Sequence, residues 1–223
     1  MLGLGVFEEL ATNGEKARLY TRGGANAPSV VVFHPWWGLN ADVIAYSDRL
    51  AGAGFSVVAP DLVQGRLAST IEDAERLASE KSDAHADAVA LATIDRLVAS
   101  GAARIGTVGF SMGAAWAIWC AAKRPAVAAS VVYYGSLLGP SLAAASAPVL
   151  GHFAESDPYE PDEGVAAFER AMREAGRRVT LHRSPGTGHW FAEPSRDAYR
   201  PEAADLAFAR TVDFLREQLE PSR

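Results

Sequence analysis

The sequence predicts an α/β fold: a mostly parallel, doubly wound sheet of about eight strands with an antiparallel edge at its N-terminal end. Three observations predict it. Short continuous runs of Val, Ile, Leu and Phe recur along the chain, as in strands buried on both faces of a parallel sheet. Longer helix-like stretches separate them, and β–α alternation with right-handed crossovers winds such a chain into one sheet. Finally, Asn13-Gly14 between two alternating segments marks a hairpin before the alternation begins.

The hairpin arms fall near 4–10 and 17–22. Further strands are expected at 29–34, 55–59, 104–109, 129–134, 148–153 and 178–183. Helices fill the intervals at about 41–53, at 70–99 (which admits a break), at 112–123 and at 162–175, with a last one near 202–219. Asn40 and Pro201 suit helix starts, and Gly54, Gly101 and Gly176 suit helix ends. No repeat, low-complexity segment or long linker divides the 223 residues, so one domain over 1–223 is expected.

Charge and composition narrow the partners. The net charge is −6 and no Lys/Arg cluster appears, which argues against nucleic acid and anionic membranes. The first ten residues lack a basic segment followed by a long apolar one. No run approaches the roughly 18 apolar residues of a membrane span. The single cysteine, Cys120, excludes an internal disulfide and sits in an apolar helical run. A cytoplasmic monomer is the expectation. No His, Cys or carboxylate pair has metal-ligand spacing, so neither metal nor cofactor is expected.

The pentapeptide Gly109-Phe110-Ser111-Met112-Gly113 carries the chemistry. Gly-x-Ser-x-Gly between a strand and a helix is the nucleophile elbow pattern, a tight turn that raises the serine at the carboxyl edge of the sheet. A serine hydroxyl needs a base, and the base needs an orienting acid. In this architecture they follow the serine in the order acid, then histidine. Asp157 follows the strand at 148–153, and His189 follows the strand at 178–183, in a glycine-rich loop. Glu155 is the rival acid. Among the other histidines, His34 ends a strand and is the competitor, His152 and His182 lie within strands, and His85 is read as solvated on a polar helix. An oxyanion needs two backbone N–H donors. Met112, after the nucleophile, supplies one. In the loop after the strand at 29–34, Pro35 has no N–H, so Trp36 is the first available second donor. Trp36, Trp37, Tyr134, Tyr159, Trp190 and Phe191 fall in or beside carboxyl-edge loops and are the expected substrate-binding wall.

Taken together, the loop from His34 to Gly38, Ala59-Pro60-Asp61-Leu62, the elbow, Tyr133-Tyr134-Gly135, Asp157, Gly188-His189-Trp190-Phe191-Ala192 and the terminal helix resemble the dienelactone hydrolase family of α/β-hydrolases. The resemblance covers nearly the whole chain. It implies an α/β-hydrolase fold without a cap domain, acting on small-molecule esters or lactones. Three positions depart from the family pattern: Ser111 stands in place of a cysteine nucleophile, Pro35 in place of a glutamate that helps activate that cysteine, and Glu193 in place of an arginine that binds a substrate carboxylate. An acid at 193 would repel an anionic substrate. The expected activity is therefore hydrolysis of small neutral carboxylic esters through a Ser-His-Asp acyl-enzyme. Lactone or dienelactone hydrolysis is the alternative, and a non-catalytic ligand-binding module on the same fold is a further one.

Overall fold

The computed structural model describes residues 5–12, 15–139, 142 and 144–220. Eight strands among them form one sheet: β1 (Val6–Thr12), β2 (Glu15–Arg22), β3 (Ser29–Phe33), β4 (Ser56–Pro60), β5 (Ile105–Phe110), β6 (Val127–Tyr133), β7 (Val149–Ala154) and β8 (Val179–Ser184). Their order across the sheet is β1-β2-β4-β3-β5-β6-β7-β8. β1 pairs antiparallel with β2, and β2 with β4; all later pairings are parallel. The fold expectation is met, with strand ends displaced by one or two residues. The Asn13-Gly14 turn lies outside the described residues.

The helices with described bounds are α1 (Ala41–Gly52), α2 (Ile71–Glu80), α3 (Asp83–Ala99), α4 (Met112–Lys123), α5 (Asp162–Glu174) and α6 (Pro201–Leu219). Asn40 caps α1 by accepting the Val43 N–H at 3.1 Å. The stretch at 70–99 breaks because Lys81 is extended and the Ser82 hydroxyl accepts the His85 N–H, which starts a second helix. Among the described residues no helix is long and apolar enough to cross a membrane.

Alternation along the central strands divides the core. Val31 and Phe33 of β3 pack with Ile94 of α3, Trp116 of α4 and Phe168 of α5. Val30 and Val32 point the other way, toward Leu50 of α1 and Leu215 of α6. Both faces of the sheet are thus covered, which is why these strands read as unbroken apolar runs. Each such side chain contributes about 1.5–3 kcal/mol by leaving water. The layers hold the carboxyl ends of β5, β7 and β8 at one edge, where the loops bearing Ser111, Asp157 and His189 emerge.

Candidate active site

Ser111 sits between β5 and α4 with φ 48° and ψ −116°, a left-handed conformation that few side-chain-bearing residues adopt. The surrounding glycines make this turn sterically feasible. A Cβ on Gly109 would lie 2.3 Å from the Gly113 carbonyl oxygen, and one on Gly113 would lie 2.4 Å from that of Phe33. The Ser111 N–H donates to the Tyr133 carbonyl at 2.9 Å, which ties the turn to the neighbouring strand. The Ser111 Oγ lies 2.9 Å from His189 Nε2.

His189 Nδ1 faces both oxygens of Asp157, at 2.7 Å to Oδ2 and 2.9 Å to Oδ1. Asp157 is itself fixed, because Oδ1 also accepts the N–H groups of Tyr159 at 2.9 Å and Glu160 at 3.1 Å. Burial works against its ionisation. The hydrogen bond and charge of His189 and the two N–H donors outweigh that burial, and the carboxyl stays below its ordinary range. The loops after β7 and β8 are joined by the Ser156 N–H, which donates to the Thr187 carbonyl at 3.2 Å. The structure therefore brings Ser111, His189 and Asp157 into one hydrogen-bonded line.

The rivals have other partners. Glu155 accepts the Gly186 N–H at 2.9 Å, so it supports the His189 loop rather than the imidazole. His34 is fully buried; its Nδ1 donates to the Pro35 carbonyl at 2.7 Å and its Nε2 accepts the Leu62 N–H at 3.0 Å. Burial lowers its proton affinity, and it pins the loop at 35–38 against the end of β4. His152 is buried, with Nε2 3.1 Å from Thr211 Oγ1, and burial lowers its pKa to about 3. His85 is buried on α3, not solvated as the sequence suggested. It shares a face with Ala86, Val89, Ala90, Thr93 and Ile94, a three-four spacing that was visible in the sequence.

Met112 opens α4, so its N–H belongs to the unpaired first turn and sits at the positive end of the helix. Trp36 follows Pro35 in the loop that His34 anchors. Gly113 abuts the Phe33 and His34 carbonyls, so this loop starts directly against the α4 N-terminus.

A cleft of about 450 Å³ opens onto Ser111 and His189. Of the six aromatics expected to line it, Tyr159 does so. Tyr134 and Phe191 are fully buried, with Tyr134 packed behind the imidazole at 4.9 Å between ring centres and Phe191 packed against Tyr134. Trp37 is 1% exposed and lies with Trp190 beside a separate cavity, its ring covered by the Arg196 guanidinium at 3.9 Å. Trp36 meets Tyr159 edge-to-face and Trp190 packs against it at a tilt, forming a second layer behind the cleft. Those five large rings pack beneath the loops because burial there removes more apolar surface from water than lining an open cleft would. The residues that sequence reasoning missed are Lys81 and Asp83 at the α2–α3 break, Trp116 on α4, and Ser136 and Glu160. The Lys81 ammonium is paired with Asp83 at 2.5 Å. Glu160 accepts the Ser136 N–H and hydroxyl.

Glu193 also departs from expectation. It is 2% exposed, lies off the cleft, and accepts the Tyr134 hydroxyl at 2.9 Å. Burial pushes its carboxyl up to about 8, so it is neutral at pH 7 and does not act on substrate as a charge. Among the described residues no three His, Cys, Asp or Glu side chains converge as a metal site.

The family model for the dienelactone hydrolase family matches residues 16–219. A Bradyrhizobium protein named "Probable 2-oxo-3-(5-oxofuran-2-ylidene)propanoate lactonase" is 31% identical, over 93% of this chain and 92% of its own length. "Carboxymethylenebutenolidase 1" of Cupriavidus pinatubonensis is 29% identical, over 88% of this chain and 89% of its own. The solved dienelactone hydrolase from Anabaena variabilis superposes with a TM-score of 0.76 over 97% of this chain and 99% of its own. At 20% identity it speaks to the fold alone.

Proposed function

The chain belongs to the dienelactone hydrolase family, and from that premise we propose that it hydrolyses small neutral carboxylic esters with Ser111 as nucleophile. The observation that carries the reading is the unbroken line from Ser111 Oγ through His189 to Asp157, at 2.9 Å and 2.7 Å. His189 Nε2 takes the hydroxyl proton as Oγ attacks the ester carbonyl carbon. Asp157 holds the ring in the tautomer with Nδ1–H and stabilises the imidazolium that forms. The N–H groups of Met112 and Trp36 bind the oxyanion. His189 then protonates the departing alcohol. A water activated by the same nitrogen attacks the acyl-enzyme and releases the acid.

The neutral preference is supported by the cleft rather than by Glu193. Among the described residues its one cation, Lys81, is already paired with Asp83, and the Glu160 carboxylate adds a further negative charge. Among them no further cation is left to balance an anionic acyl group. Lactone hydrolysis is the second reading, favoured by the lactonase name of the Bradyrhizobium relative. Ser111→Ala should lower kcat for p-nitrophenyl acetate by on the order of 10⁴-fold or more; unchanged turnover would sink the assignment. Comparing kcat/KM for that ester with an anionic dienelactone separates the two readings, and a strong preference for the dienelactone would refute the neutral one.

A further inference from the structure

We infer that Glu193 is a positioning residue for His189, acting through Tyr134. The inference rests on the reading of His189 as the base. The imidazole is held between two phenol rings, Tyr134 on the buried side and Tyr159 at the cleft, each with its centre 4.9 Å away. Tyr159 is 42% exposed, whereas Tyr134 is fully buried and forms the fixed wall. Tyr134 has a φ of 37°, an unfavourable backbone for a bulky residue, so relaxed local geometry does not hold its ring in place. Packing against Phe110, Tyr133 and Phe191 confines the ring, and two hydrogen bonds fix its two ends: its N–H donates to the His152 carbonyl at 2.7 Å, and its hydroxyl donates to Glu193 Oε1 at 2.9 Å.

Glu193 can serve as that anchor because it lies four residues after His189 in the same loop, where its N–H closes a turn onto the Trp190 carbonyl at 2.9 Å. Imidazole and anchor are therefore carried on one short loop, and Tyr134 links them to the end of β6. The groups around the carboxyl are Tyr134 itself, Asp42 and Tyr46 on α1, Arg196 in its own loop, and His189 beyond the Tyr134 ring. Burial keeps the carboxyl protonated at pH 7, and its carbonyl oxygen remains a full acceptor. An amide presents the same acceptor, whereas a methyl presents none.

The test compares Glu193→Ala, Glu193→Gln and Tyr134→Phe on p-nitrophenyl acetate at pH 7, with competent sites counted by exhaustive fluorophosphonate labelling. Glu193→Ala should lose roughly tenfold in kcat per labelled site with KM unchanged, and Glu193→Gln should stay within about twofold of wild type. Should the alanine variant fail to fold, Tyr134→Phe, which keeps the ring and removes the donor, should show the same loss in kcat alone. A purely structural role would lower the amount of competent enzyme and leave kcat per site intact. That result in either variant, or a Gln variant as impaired as the Ala variant, overturns the inference. Absence of labelling in the wild type would instead overturn the reading of Ser111, and this inference with it.

Discussion

Replacing Gly113 with alanine probes how the elbow is built. The added Cβ would lie 2.4 Å from the Phe33 carbonyl oxygen and 2.7 Å from that of His34. Non-bonded Cβ contacts below 3.0 Å essentially do not occur, so α4 and the end of β3 must separate by roughly 0.6 Å. Both oxygens are backbone atoms where a central strand meets the His34 loop, and no rotamer change relieves them. Overpacking of this kind costs about 1–3 kcal/mol. At roughly 2–4 °C per kcal/mol for a chain of this size, a cost near 2 kcal/mol lowers Tm by roughly 4–8 °C. The same displacement separates the Met112 N–H from the loop carrying Trp36, the two proposed oxyanion donors, and should reduce kcat roughly 10- to 100-fold. Calorimetry and steady-state kinetics on p-nitrophenyl acetate read both effects. Gly52→Ala is the control: its Cβ meets nothing within 4 Å on an exposed turn of α1, and it should add up to about 1 kcal/mol without touching kcat. A Gly113→Ala enzyme with wild-type Tm and kcat would refute the steric account of the elbow.

Other expectations follow from the same geometry. Asp157→Asn removes the acceptor that fixes the His189 tautomer, and kcat should fall by on the order of 10⁴-fold while KM changes little; a loss below tenfold would point to Glu155 as the acid. Glu193 has its folded-state pKa raised from 4.5 to about 8. Its contribution to stability is therefore fully present below the unfolded value and is lost as pH rises through about 8. Linkage puts the loss at about 4 kcal/mol between pH 5 and pH 9. Glu193→Gln, which does not ionise, should lack that component in urea titrations at the two pH values, and parallel losses in both proteins would contradict it. Cys120 is buried and burial pushes its thiol up, so the native protein should be inert to a disulfide reagent at pH 8 and react fully once unfolded; rapid native reaction would contradict the packing of α4.

The juxtaposition of Ser111, Asp157 and His189 was legible in the sequence because their positions follow from topology. Each stands just past the carboxyl end of a strand, and the strands read clearly as continuous apolar runs. The two alternatives, His34 and Glu155, are engaged by partners that sequence spacing does not reveal: the Leu62 N–H and Pro35 carbonyl for His34, and the Gly186 N–H for Glu155. The substrate wall was less legible. Whether a tryptophan in a loop lines a cleft or roofs the core depends on which neighbours cover it, and Trp37 is covered by Trp36, Trp190 and Arg196. Lys81 and Asp83 enter the cleft only because Ser82 restarts the helix there, a break the sequence admitted without indicating where it points. Glu193 read as a charge facing the substrate in place of the family's arginine, whereas it is buried off the cleft and accepts the Tyr134 hydroxyl.

Mass-spectrometric mapping of a fluorophosphonate on the native protein tests the role of Ser111 directly. A single adduct is expected, on the peptide bearing Ser111, formed in step with loss of esterase activity and absent from Ser111→Ala. A well-folded protein that is not labelled, or an adduct on another residue with Ser111 unmodified, would contradict it and favour a ligand-binding role for the same fold.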